Sequence, residues 1–183
     1  GGTYLMKETR GDVVAVFKPA DEEQFAPNNP RKHVGRMGSQ GFRKGILSGE
    51  GYLREAAAYL LDSTSGGHAG VPMTTLAEAQ YEDAFHYPGK GFGMSASADA
   101  KRLKIGSIQE FIDSDEVAEN LGPREFPVSE VHKIAILDIR IANTDRNAAN
   151  ILVCECPPVR GARDSKKTRR ELIPIDHAYS LPD

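Results

Sequence analysis

NTDRNAAN, residues 143–150, follows directly on the apolar run VHKIAILDIRIA at 131–142. With FPVS before it, that run is apolar nearly all round, as expected of a helix at the centre of a lobe. The polar octet that ends it has two readings. Asn and Asp terminate helices and build turns, because their side chains hydrogen-bond the local backbone. Asp145 and Asn150, five positions apart, also form a chemical pair: a carboxylate that can orient or accept a proton, and an amide oxygen that can hold a hard cation. For Asp145 alone the two readings weigh about equally, so the rest of the chain decides.

Downstream, NILVCEC (150–156) and ELIPI (171–175) read as two strands joined by a basic loop, and the second delivers DHA at 176–178. Upstream, GGTYLMKETRGDVVAVFKPADEE reads as a β-hairpin turning at Gly11-Asp12, with its second strand closed by Lys18-Pro19. Residues 25–49 are rich in Gly, Pro, Asn and base without a sustained period, the mark of a loop insertion. SGEGYLREAAAYLLD (48–62) predicts an amphipathic helix with Leu53, Ala57, Leu60 and Leu61 on one face. A strand is expected near 73–80 and a mobile small-residue loop at GKGFGMSASADA (89–100). RLKI (102–105) reads as a short strand leading into GSIQEFI, and acidic DSDEVAEN (113–120) as a solvated loop or helix face.

The chain has 183 residues, enough for one domain or two small lobes sharing a cleft. Its 39% apolar and 27% charged content argues against disorder for the bulk. A formal charge of −3 argues against nucleic acid as a partner. Two basic clusters stand out locally, RKHVGRMGSQGFRK (31–44) and RGARDSKKTRR (160–170). Cys154 and Cys156 fall on one face of a strand, where they cannot easily bridge each other, which suggests reduced thiols in a cytoplasmic or nuclear setting. The longest uninterrupted apolar run, VVAVF, is far short of a membrane span, so membrane contact is expected to be peripheral.

The octet's spacing matches the H-R-D-x-x-x-x-N catalytic loop of phosphoryl-transfer enzymes. That chemistry needs a phosphate cradle, a cation on the phosphates, magnesium ligands and a group that positions the attacking hydroxyl. Candidates occur in that order. Gly1-Gly2-Thr3 opens the first hairpin, where backbone N–H groups and a hydroxyl could approach phosphate, although the full glycine motif is absent. Lys18 in AVFKP resembles the V-A-I-K strand lysine. Glu55, on the next helix, is its candidate ion-pair partner. It lies about 200° round from Leu53 at roughly 100° per residue, so a solvated glutamate is the competing reading. Asp145 would orient the hydroxyl, with Arg146 counted in the same catalytic set, and Asn150 and Asp176 would bind magnesium.

On these residues the sequence resembles the phosphatidylinositol 3- and 4-kinase superfamily, most nearly the type II and plant-type gamma phosphatidylinositol 4-kinases. The resembling stretches are AVFKPADEE, GEGYLREAAAYLLD, VP, KIGSIQEFI, ILDIRIANTDRNAANILV and IPIDHAYSLP. FAPNNP, FPVS and DHA point to the gamma class. The resemblance implies an α+β, bilobal kinase-like fold, with an N-terminal lobe at 1–106, a hinge at 107–113 and a partial C-terminal lobe at 114–183. It implies ATP and Mg2+, with adenine along Gln109, Glu110, Phe111 and Ile112, and with Thr3 reaching the phosphates. Glu23, Gln24 and Phe25 would lie near the acceptor. Two departures matter: residues 25–49 contain no Cys of the kind that is palmitoylated in the type II enzymes, and Ala178 replaces the glycine usual after the metal-binding Asp.

The leading expectation is transfer of the ATP γ-phosphate to the inositol 4-hydroxyl of phosphatidylinositol. The basic segments would add attraction to an anionic surface of about 1 kcal/mol per base, or else are simply solvated. A protein Ser/Thr kinase is the alternative, and a nucleotide-binding pseudokinase is less favoured. The chain is further expected to be a fragment, ending seven residues after Asp176 (183 − 176). A helix over 134–141 would then expose a large apolar patch and make the span poorly soluble.

Overall fold

The computed structural model describes residues 1–80, 103–157 and 169–183. The stretch at 89–100 and most of the second basic cluster lie outside the described residues. Two antiparallel sheets and two helices make up the α+β framework.

Strands β1 (Tyr4–Lys7) and β2 (Val13–Pro19) form the expected hairpin, with Gly11 at φ +98° in the turn, a backbone value that favours glycine. Helix α1 spans Gly51–Ser63 and β3 spans Thr74–Ala79. The predicted pair of pieces at 102–112 is a single strand, β4 (Lys104–Glu110). It runs unbroken because Gly106 lets the Lys18 carbonyl come close; a Cβ there would sit 2.3 Å from that oxygen. The first sheet has the order β1-β2-β4-β3. Its register pairs Lys18 with Ser107 and Ser107 with Leu76. The chain leaves this sheet after Glu110 and reaches β5 (Glu116–Val117), so the acidic segment holds a short strand and then a 3-10 turn, Ala118–Asn120.

Helix α2 (Val128–Arg140) precedes the octet, and β6 (Ile151–Cys156) and β7 (Arg169–Pro174) follow it. Sheet β5-β6-β7 packs on α2 through Ala118, Ile134, Val153 and Leu172. On the other side Leu137 and Ile141 meet Ala58, Ala69 and Val71, which ties α2 to α1. Cys154 and Cys156 are free thiols.

Helix α1 differs from expectation in which face it buries, whereas α2 exposes apolar residues as expected. Leu53 and Leu60 of α1 are exposed, whereas Arg54, Glu55, Ala58 and Asp62 are buried. The polar face goes inward because its carboxylates and the Arg54 terminal nitrogens find partners, although Arg54 Nε is left without one. Arg54 donates to the Ser180 and Leu181 carbonyls, and Asp62 accepts the Ala69 and Val71 N–H groups at 2.9 and 3.0 Å. Helix α2 is not enclosed. Glu130, Lys133, Ile134 and Leu137 are buried, but Val128, Val131, Ile136 and Ile139 face outward. Glu130 sits inside because it pairs with Lys133 at 2.6 Å and accepts the Leu172 N–H. No helix among the described residues is long and apolar enough to cross a membrane.

Candidate active site

Lys18 is the penultimate residue of β2, on the strand face that meets α1. Its ammonium lies 2.5 Å from Glu55 Oε1 and 3.3 Å from Asp176 Oδ1. Glu55 is only 1% exposed, so the solvated-glutamate reading is overturned. Helical periodicity misled because the sheet lies against the polar side of α1. The second Glu55 oxygen accepts the His177 N–H at 2.9 Å, locking the helix to the segment after β7.

Burial disfavours charge on all three groups, yet the Lys18 ammonium is held above its ordinary pKa because Glu55 and Asp176 more than offset desolvation. Asp176 is likewise opposed by burial, but the Lys18 charge outweighs this and keeps its carboxyl below the usual range. Glu55 is the most deeply buried of the three, and desolvation pushes it up against the pull of Lys18. Asp176 adopts φ +57°, a left-handed value that Asp tolerates better than most residues.

Strand register brings the two candidate metal ligands to one end of a hairpin. Ile151 pairs with Pro174, so Asn150, just before β6, and Asp176, just after β7, flank the same edge. The Ile175 N–H donates to the Asn150 carbonyl at 3.0 Å. Arg146 holds this edge together. It donates to Asp138 on α2 at 3.0 Å, to the Asn150 and Ile175 carbonyls at 2.7 Å each, and to His177 Nδ1 at 3.0 Å. All its donors are thereby engaged within the protein, which makes its place here one of positioning. With Nδ1 accepting, the His177 proton sits on Nε2 and donates to the Pro174 carbonyl. Burial and the Arg146 charge push His177 down to about 3, so the ring stays neutral.

Asp145 stands on the loop just after Asn143, whose side chain accepts its N–H, and Thr144, which donates twice to the Tyr179 carbonyl. Its carboxylate contacts Arg43 of the insertion at 3.0 Å.

A cavity of about 310 Å³ opens beside Lys18, within the range of small-molecule sites. Gly1, Gly2, Thr3, Lys18, Glu23, Gln24, Glu55 and Asp176 line it, together with insertion residues such as Arg31, His33 and Phe42. Gly2 is required at its position: a Cβ there would lie 1.8 Å from Glu22 Oε2. Glu22 is itself held by Lys104 at 2.6 Å and by the Tyr4 hydroxyl at 2.6 Å.

The other expected residues lie elsewhere or have other partners. Glu23 turns its carboxylate to the N–H groups of Gly49, Gly51 and Tyr52, capping α1. Burial nevertheless pushes it up to about 7. Gln24 accepts from the Tyr179 hydroxyl, while Phe25, at φ +63°, does not line the cavity. Gln109, Glu110, Phe111 and Ile112 are also outside it. The Gln109 amide donates to Thr74 Oγ1, and the Glu110 and Phe111 N–H groups bond the Met73 and Val14 carbonyls.

The donor set suits magnesium chemically. The Asp176 side chain is 47% exposed, and the Asn150 amide makes no hydrogen bond among the described residues, so hard oxygen donors from both are available at one edge. No cluster of three or more His, Cys, Asp or Glu side chains suited to a metal occurs among the described residues. A cation held at this edge would draw its remaining oxygen ligands from phosphate and water.

Sequence reasoning did not find Arg43, His177 or the Glu22–Lys104 pair. Arg43 lies in an aperiodic segment 102 positions from Asp145, and nothing local signals the contact.

A strand lysine paired with a helix glutamate, facing an acidic strand end next to an Asp-x-x-x-x-Asn loop, is a kinase-like arrangement. The chain belongs to the phosphatidylinositol 3- and 4-kinase family: the family model of that description matches residues 1–183. It is similar to phosphatidylinositol 4-kinase gamma 2 of Arabidopsis thaliana, at 44% identity over the whole chain and 33% of that protein. Phosphatidylinositol 4-kinase gamma 4 of Oryza sativa subsp. japonica is 45% identical over the whole chain and 30% of its own length. Phosphatidylinositol 4-kinase gamma 1 of Arabidopsis thaliana is 39% identical over the whole chain and 31% of its length. The chain thus spans about a third of the curated relatives it matches.

Proposed function

We propose that the protein transfers the γ-phosphoryl group of ATP to a hydroxyl, with phosphatidylinositol as acceptor. The observation that carries this reading is Lys18 clamped between Glu55 and Asp176 at a cavity roofed by Gly1, Gly2 and Thr3. In that geometry Lys18 faces the phosphates and Glu55 fixes its direction. Asp176 and Asn150 offer oxygens to Mg2+, which when bound neutralises charge on the transferring phosphates. Asp145 orients the acceptor hydroxyl and takes its proton. Adenine would lie along 109–112, outside the cavity described above. The names of the relatives support the lipid acceptor, since each printed name is that of a phosphatidylinositol 4-kinase. The exposed Lys32, Arg36 and Lys44 of the insertion would favour an anionic surface at the periphery of a membrane, on the cytoplasmic side.

The test is transfer of labelled γ-phosphate by the full-length protein to phosphatidylinositol vesicles and, in parallel, to a generic protein substrate. Lipid labelling at the 4-hydroxyl supports the reading. Labelling of protein alone replaces the acceptor with a Ser or Thr hydroxyl. Magnesium–ATP binding without either product would make the chain a nucleotide-binding module.

A further inference from the structure

Asp145 is not free in this fold. Arg43 Nη2 reaches Asp145 Oδ1 at 3.0 Å from an insertion that the phosphoryl-transfer scheme does not use. We propose that Arg43 is a positioning residue of the reaction centre, holding the Asp145 carboxylate in the orientation that meets the acceptor hydroxyl. The inference rests on the phosphotransferase reading above.

Three features place Arg43 there by construction. Its segment is a small closed turn, with a Gln40–Leu47 bridge, the Gly41 N–H on the Ile46 carbonyl at 2.8 Å, and the Ile46 N–H on the Arg43 carbonyl. The turn is pinned at Gly45, whose carbonyl accepts from Asp183 N–H and from Arg54 of α1, the helix that carries Glu55. The guanidinium rests over the Phe42 ring at 5.3 Å, which limits its swing. On the far side, Thr144 is tied to Tyr179, whose hydroxyl bonds Gln24 at the cavity wall. Asp145 is thus held between two anchored segments, and Phe42 and Tyr179 both face the cavity. Loss of Arg43 frees the carboxylate to rotate, and misalignment of a reacting group by about 1 Å costs on the order of 100-fold in rate.

The experiment uses the full-length protein, labelled ATP and phosphatidylinositol vesicles, with the variants Arg43→Ala, Arg43→Lys, Asp145→Asn and the double variant Arg43→Ala/Asp145→Asn. Melting midpoints and ATP affinity serve as controls for folding. The expectation is that Arg43→Ala lowers kcat about 100-fold with the ATP Kd unchanged, and that Arg43→Lys recovers part of the loss. In the double variant the two losses should not multiply, because both act through one carboxylate. If Arg43→Ala turns over at the wild-type rate or faster while Asp145→Asn is inactive, the positioning role is wrong and the phosphotransferase reading stands. Losses that multiply also overturn it. Should Asp145→Asn itself transfer normally, the reading of the catalytic loop fails and this inference falls with it.

Discussion

Replacing Glu55 removes a carboxylate whose side chain is 2% exposed and which holds Lys18 at 2.5 Å and the His177 N–H at 2.9 Å. Breaking a buried ion pair from one side costs about 3–5 kcal/mol when the remaining charge has no other partner. Lys18 does have one, since Asp176 lies at 3.3 Å and the lysine side chain is 23% exposed, so the lower end applies. Glu55→Gln keeps an oxygen for the His177 N–H and should lose about 3 kcal/mol. Glu55→Ala also orphans that N–H and should lose about 4 kcal/mol. The difference between the two isolates the second contact. Urea unfolding read by fluorescence and circular dichroism gives both values, and ATP affinity should fall in parallel because Lys18 swings toward Asp176. The sign with pH follows from the raised Lys18 value: the stability linked to the Lys18 proton is fully present below the ordinary lysine range and is lost as pH rises through the folded-state value, while the pair itself also needs Glu55 ionised. Two variants each within about 0.5 kcal/mol of wild type, a change typical of surface sites, would refute the buried clamp.

Further outcomes follow from neighbouring groups. Asp145→Asn should keep ATP bound and lose transfer, because it removes the orienting carboxylate and leaves the phosphate and metal groups intact; equilibrium dialysis and a turnover assay measure the two separately. Glu23, pushed up to about 7, binds a proton more tightly folded than unfolded, so its contribution to stability is full below about 4.5 and is lost as pH rises toward 7. Glu23→Gln should flatten that slope, whereas dominance of the three N–H donors would give the opposite sign. Gly2→Ala should force the Glu22 carboxylate off Lys104 and Tyr4 and cost about 1–3 kcal/mol, seen as a lower melting midpoint together with weaker ATP binding. His177 should remain a neutral Nε2–H tautomer at pH 5 in nitrogen-detected NMR, and a charged ring at that pH would contradict its enclosure with Arg146.

Strand patterning carried the framework well. Alternation around Gly11, the apolar strand ending at Lys18 and the two strands flanking the basic loop are all where period and turn residues put them. The Asp145 to Asn150 spacing also located the loop beside the strand end that carries Asp176. Burial of polar faces was not legible. Helical periodicity assumes that apolar residues face inward, but α1 buries Arg54, Glu55 and Asp62 because their partners come from residues 69–71 and 176–181, far along the chain. Arg146 reads in sequence as a member of the catalytic set, yet its donors are all engaged by backbone and side chains that converge only after folding. The Arg43 contact is hidden for the same reason. An aperiodic insertion gives no sequence signal for where its side chains land.

The central claim is that Lys18, Glu55 and Asp176 form one magnesium–nucleotide site. Calorimetric titration of ATP into the full-length protein and into Asp176→Ala, each with and without Mg2+, tests it most directly. Wild type should bind ATP more tightly with the metal present, and Asp176→Ala should lose that metal-dependent gain while still unfolding cooperatively. Equal, metal-dependent affinity in both proteins would contradict the account.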